Sequence, residues 1–173
     1  MFGAYDKNHN FSELLTDVTK NGYKFDSSYY CNNGEIAIVD QGKELICGYK
    51  DKEPGKEPYK KECIVFGDHT EIFKYINFPI YLGADGTKLL DVASEWNTRF
   101  VYEFLNIYYD KVGGYSRHFK FLKETMFSKP PKDRQIEFEK YCKLIDKLKF
   151  IIQKEINDLQ ELLDKKMQEY FGG

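Results

Sequence analysis

From Lys132 to Phe171 the apolar positions recur with the period of a helix. Phe138, Ile145, Ile152 and Leu159 fall seven residues apart, and Tyr141, Leu148, Ile156 and Leu163 lie between them. The pattern is an a/d-type seam, with Glu137, Lys140, Lys143, Lys147 and Lys154 among the charged residues on the other faces. No Pro or Gly occurs between Pro131 and Gly172, so the pattern predicts one unbroken helix of roughly 40 residues, or about 60 Å. A helix of that length exceeds what the remaining chain can cover. Its seam therefore requires a partner, either another copy of the helix or a helix of a larger complex. Near Glu155 the register shifts: the heptad position that should be apolar is acidic, and Ile156 takes its place.

The rest of the chain reads as short elements. Phe11, Leu14, Leu15 and Val18 share a helical face, which predicts a short amphipathic helix over Phe11–Lys20, capped by Ser12 or Asn10. Residues 1 to 10 read as loose, and Tyr23 to Asn33 as a loop. Six strands are expected at Glu35–Asp40, Leu45–Tyr49, Cys63–Phe66, Ile72–Ile76, Pro79–Leu82 and Lys88–Val92, separated by Gly-containing turns and by a charged loop from Lys50 to Lys61. A second helix is expected over Asn97–Tyr109, with Thr98 as cap and Phe100, Val101, Phe104, Leu105 and Tyr108 on its apolar face. Glu124 to Ser128 reads as a brief strand or turn. The fold class is α+β: a small twisted, mixed or antiparallel sheet with short helices, followed by one long helix. The boundary falls at Pro130-Pro131, which divides the chain into 1–130 and 131–173.

Composition narrows the function. The 173 residues leave room for one ordinary core plus the helix. Aromatic residues make up 17% of the chain, which suits a surface that touches a partner and equally an AT-rich coding bias. A net charge of -2 counts against non-specific coating of nucleic acid, though not against a site confined to one face. Phe2 to Asn10 lacks a secretory apolar core and no run of about 18 apolar residues exists, so a soluble, cytoplasmic chain is expected. Cys31, Cys47, Cys63 and Cys142 form no C-x-x-C pair, which indicates neither a zinc finger nor a disulfide framework.

One window is strongly cationic. Residues Lys111 to Lys132 hold six Lys and Arg residues against Glu124 alone, and Gly113-Gly114 lets the backbone approach a phosphate closely. Ser116, Arg117 and His118 offer donors suited to phosphates or purine edges. Gly67-Asp68-His69-Thr70 closes a buried strand, where exposed functional residues often lie; polar contact with a ligand or a structural turn fits it better than metal binding or acid-base catalysis. No phosphate-binding loop, dinucleotide fingerprint, hydrolase nucleophile motif or Asn-Pro-Pro-Tyr-type methyltransferase tetrapeptide is found. A catalytic role is not expected.

In order along the chain, I-A-I-V-D-Q-G (36–42), I-V-F-G-D-H-T (64–70), G-A-D-G (83–86), G-Y-S-R-H-F-K-F-L (114–122) and Pro130-Pro131 with Gln135 resemble the DNA-specificity (S) subunit of type I restriction-modification systems. The resemblance spans about residues 12 to 171. Members of that family usually carry two target-recognition domains and long helices that pack as an antiparallel coiled coil; this sequence has one of each and resembles a half-subunit. The resemblance implies double-stranded DNA as a partner and methyltransferase subunits that dock on the chain. Those subunits would carry S-adenosylmethionine and flip the target adenine, and a restriction subunit would complete some complexes. No cofactor or metal is expected on this chain. A half-subunit would pair its seam with a second copy and read an interrupted palindrome. From side-chain chemistry and loop placement, the DNA-contact candidates are Asp68, His69, Thr70 and Lys74 on one loop and Ser116, Arg117, His118 and Lys120 on the other. A coiled-coil adaptor that binds only protein is the alternative.

Overall fold

The structure is a computed structural model in which residues 7–83, 85–114 and 116–172 are described. The chain divides into two compact units, Met1–Gln135 and Ile136–Gly173. In the first unit the organising element is strand β5, Cys63–Gly67, every residue of which is buried. Its run of Cys, Ile, Val and Phe suits a strand covered on both faces. It lies between β6 (Phe73–Ile76) and β8 (Thr87–Val92), with β2 (Leu15–Asp17) on the far side of β8, in an antiparallel four-stranded sheet. Cys63 and Val65 pack against Val39, Ile80, Leu82 and Leu89. This joins the sheet to a second one, in which β3 (Ile36–Val39) pairs antiparallel with β4 (Gly48–Lys50) and parallel with β7 (Ile80–Leu82). Alternate side chains of β5 point the other way, where Phe66 meets Phe73, Tyr109 and Phe119. Helix α2, Thr98–Tyr108, packs against β5 and β6 through buried Phe100, Val101, Phe104 and Leu105.

The predicted α+β class is borne out, with three sheets in place of one. The third sheet pairs β1 (Lys7–His9) with β9 (Phe127–Ser128), so residues 7–9 are ordered by a strand from the far end of the domain. Residues 1–6 of the segment read as loose, Ala84 of the G-A-D-G turn and Tyr115 lie outside the described residues. The first helix is far shorter than its apolar spacing suggested. Helix α1 covers Phe11–Leu14 only, closed by a capping box in which the Asn10 side chain accepts from the Glu13 backbone and Glu13 answers in kind. Asn10, not Ser12, is the cap. Leu15 then turns extended, because its burial and that of its neighbours come from pairing with β8. Asn97 caps α2 where Thr98 was expected, its side chain accepting from Phe100 N. Strand β4 also begins three residues after the expected Leu45, which is left exposed.

The topology brings several strand ends together. Gly67 at the end of β5 pairs with Thr87 at the start of β8. Val39 at the end of β3 pairs with Leu82 at the end of β7, and Gly83 N donates to Val39 O. The turns that follow, at residues 40–44, 68–71 and 85–86, therefore converge on one end of the domain.

Helix α4 is continuous over Lys132–Phe171, as its pattern predicted. Along it Tyr141, Ile145, Leu148, Ile152, Ile156, Leu159 and Leu163 are exposed, and Phe138 is half-buried. Among the described residues, no helix is long and apolar enough to cross a membrane.

Candidate nucleic-acid interface

Beyond β5 the chain reverses over Asp68–Glu71. Thr70 N and Glu71 N both return to Gly67 O, and Glu71 adopts a left-handed φ of 54°. A Cβ at Gly67 would lie 2.0 Å from Thr70 Oγ1 and 2.9 Å from Gln41 Cβ, so the turn would have to shift to admit one. A non-glycine residue with positive φ is uncommon and costs free energy, so something must hold Glu71 there. Its carboxylate, buried in the domain, accepts from Val112 N at 2.9 Å and Gly113 N at 2.8 Å. It also approaches His118 Nδ1 to 2.6 Å, without the alignment of a good hydrogen bond.

Asp68 performs a parallel task. Its carboxylate accepts from Phe119 N at 2.7 Å, and its carbonyl from His118 N at 2.8 Å. These bonds satisfy the start of the short helix α3, Phe119–Leu122, whose N-cap residue His118 supplies no side-chain cap. His118 Nε2 faces Gly114 O at 3.2 Å. Two acidic residues of one turn thus fasten residues 112–113 and 118–119, more than forty residues further along the chain.

Three of the eight DNA-contact candidates are accordingly corrected. Asp68, Lys74 and His118 are buried, with 5, 4 and 1% of their surface exposed, and cannot reach a duplex in this conformation. Lys74 does not anchor phosphate. Its ammonium points inward to Asp40 O at 2.7 Å and to Glu44 O, with the Asp40 carboxylate 3.6 Å away. Burial holds its pKa below the ordinary lysine value, against the pull of Asp40. On the strand expected at Ile72–Ile76, Lys74 is thus turned inward and pins the loop 40–44.

The other candidates occupy the surface. Arg117, Lys120 and Thr70 are exposed, and His69 and Ser116 half-buried. His69 Nδ1 lies 3.1 Å from Ser116 O, which ties the two candidate loops together directly. Lys120 Nζ rests 4.6 Å from the centre of the Phe121 ring. Arg117 lines a cleft of about 240 Å³ with Lys24, Lys88, Thr19, Thr87 and Gly86, and with Asp68 and Asp85. Lys88 sits 4.7 Å over the Phe119 ring and 3.1 Å from Asp17. Burial would raise the Asp17 carboxyl, but hydrogen bonds from Thr19 and Lys88 outweigh it and hold the carboxyl low. The cationic window is weaker than its composition suggested. Lys132 donates to Ser94 O and Trp96 O, and Lys129 lies over the Trp96 ring.

Sequence reasoning missed Glu71, Gln41, Lys24 and Lys88. Gln41 joins three turns: its Oε1 accepts from His69 N, its Nε2 donates to Asp85 O, and its carbonyl accepts from the Thr70 hydroxyl at 2.7 Å. Only proximity of Gln41 to the end of a buried strand hinted at this. Among the described residues no group of three His, Cys, Asp or Glu side chains is placed to hold a metal ion.

The arrangement is one end of an α+β domain that displays cations and hydrogen-bonding side chains around a shallow cleft. No family model and no curated protein matches the chain. Solved structures do. The S subunit of a type I restriction-modification system from M. genitalium aligns with a TM-score of 0.66 over 95% of this chain and 45% of its own, at 14% identity. A chain from a structure of the assembly and conformational transition of the type I R-M system aligns at 0.61, over 92% and 43%, with 13% identity. The HsdS subunit of Thermoanaerobacter tengcongensis aligns at 0.53, over 85% and 39%, with 13% identity. The chain has the fold of type I restriction-modification S subunits, as its ordered segments suggested, and spans less than half the length of each of these neighbours.

If Asp68 is a clamp and Arg117 a surface group, their substitutions separate cleanly. Asp68→Ala leaves Phe119 N without its acceptor and should lower unfolding free energy by about 1–3 kcal/mol. Arg117→Ala should change it by less than about 0.5 kcal/mol. Urea denaturation of both variants and the parent checks the pair of outcomes.

Proposed function

We propose that this chain is a non-catalytic DNA-recognition subunit of a type I restriction-modification assembly. It reads double-stranded DNA with the face that carries Arg117, Lys120, His69, Thr70 and Ser116, supplemented by Lys24 and Lys88. The observation that carries the reading is the convergence of Arg117, Lys24 and Lys88 on one cleft, with the backbone around Arg117 fastened by buried Asp68 and Glu71, in a domain with the S-subunit fold. Arg117 serves as guanine or phosphate contact, His69 as a hydrogen-bonding reader, and Lys120, Lys24 and Lys88 as phosphate anchors. Asp68, Glu71, His118, Lys74 and Gln41 position them from within.

In this reading the chain works in the cytoplasm with methyltransferase subunits, which bring S-adenosylmethionine and the adenine chemistry; restriction subunits join where present. Two copies associate through the exposed apolar seam of α4 and present identical domains to an interrupted palindrome, so that the helix length sets the separation of the half-sites.

Selection from a random duplex pool, by the chain alone and with its methyltransferase, should enrich one short sequence. Arg117→Ala should weaken binding to that sequence by about 1–3 kcal/mol. If Arg117 contacts phosphate, the salt dependence should also fall by about one unit of slope. Unchanged affinity at every salt concentration would remove Arg117 from the interface, and a pool that never enriches would favour a protein-binding adaptor.

For the assembly, Ile152→Asp places a charge in the middle of the seam. Light scattering should report the loss of a dimer present in the parent; a persistent dimer would refute this use of α4.

A further inference from the structure

The exposed face of α4 holds a regularity that a heptad does not describe. From Tyr141 to Tyr170 its apolar residues are spaced four, three and four apart, and the same spacing then recurs. The period is eleven residues in three turns, or about 3.67 per turn. On a helix of that period Tyr141, Ile152 and Leu163 fall in one straight row. Ile145, Ile156 and Met167 form a row about 33° to one side of it, and Leu148, Leu159 and Tyr170 a row about 33° to the other. All nine side chains are exposed, by 49 to 74%. A heptad frame drawn from Phe138 shares the first half of this seam but then puts Glu155, Leu162, Lys166 and Glu169 on it, three of them charged. Glu155 therefore does not interrupt the seam; it lies beside one of longer period.

The period decides how two such helices wind. At 3.6 residues per turn a heptad seam drifts about 20° per repeat and is kept in contact by left-handed coiling. An eleven-residue seam drifts about as far per repeat in the opposite sense, so it favours a shallower, right-handed winding. A partner must match this period over about 45 Å of helix. A second copy of the chain matches it automatically, and the charges beside the seam favour that copy. Residues 140–154 hold five lysines against Asp146 alone, whereas residues 155–170 hold five acids against Lys165 and Lys166. Two copies laid antiparallel set the basic half of each helix against the acidic half of the other.

We propose that a second copy of this chain packs along the eleven-residue seam from Tyr141 to Tyr170, with Ile156, Leu163, Met167 and Tyr170 in the contact and Leu162 outside it, and that the two helices wind slightly right-handed. This rests on the association of two copies proposed above and names the residues and the hand of that contact.

Two adjacent leucines separate the two seams. Leu162 and Leu163 are each 54% exposed, so a charge at either leaves the fold of the single chain intact. Leu162 is a heptad position that lies about 98° from the middle row, and Leu163 lies on that row. In sedimentation equilibrium of the 173-residue chain, Leu163→Asp should weaken dimerisation about tenfold or more, because its carboxylate loses water at the contact. Met167→Asp should act in the same direction, and Leu162→Asp should change the dimer constant by no more than about twofold. A larger loss from Leu162→Asp than from Leu163→Asp, or equal effects of the two, including none from either, would overturn the eleven-residue seam and leave the dimer standing. A parent chain that stays monomeric at every concentration would overturn the seam and the association of two copies together.

Discussion

Two buried carboxylates on one tight turn hold one end of this domain together. Asp68 and Glu71 leave the end of β5 and accept four backbone hydrogen bonds from residues 112–119, and Glu71 also meets the His118 ring. Residues 112–114 and 116–118 have no regular structure of their own. Burying two acids is expensive unless their lone pairs are filled. Here the filling is done by backbone N–H groups of the very segment that must be positioned, so the cost of burial and the ordering of the loop offset one another. The left-handed backbone at Glu71 is the visible strain of that solution.

The same economy explains how a chain of net charge -2 presents a cationic face. The acids Asp68 and Glu71 are drawn inward where they perform structural tasks, as is the base Lys74, while Arg117, Lys120 and Lys24 remain in solvent. Gln41 then ties the turn of Asp68 to the turn of Asp85, so that three loops behave as one surface. Preorganisation of this kind lowers the ordering cost of binding, which is how a shallow cleft gains affinity and specificity.

Local patterns made much of the architecture legible. The uninterrupted helix from Lys132 to Phe171, the apolar runs of β5 and β7, and the two loops that flank the cationic cleft all declare themselves in spacing and turn residues. What spacing misjudged were cases where a distant partner decides. Leu15 has helical spacing with Phe11 but pairs with Val92 across a sheet. Lys74 has the composition of a solvent-facing strand position but is claimed by carbonyls of residues 40 and 44. Asp68 and His118 looked like polar groups at exposed loop tips; each is buried by the other's loop. Glu71 carried no signal and Gln41 only its place at the end of a buried strand, because their hydrogen bonds reach residues some thirty to forty-five positions away, and nothing in a single sequence marks such pairs.

The central claim is that residues 112–113 and 118–119 are held by Asp68 and Glu71 in the free chain. Hydrogen exchange on the free chain tests it most directly. The amides of Val112, Gly113, His118 and Phe119, all bonded to residues 68 or 71, should be protected well beyond the exposed amides beside them, and adding DNA should change them little. Exchange of those four at the rate of an unstructured loop, with protection appearing only in the presence of DNA, would contradict the account.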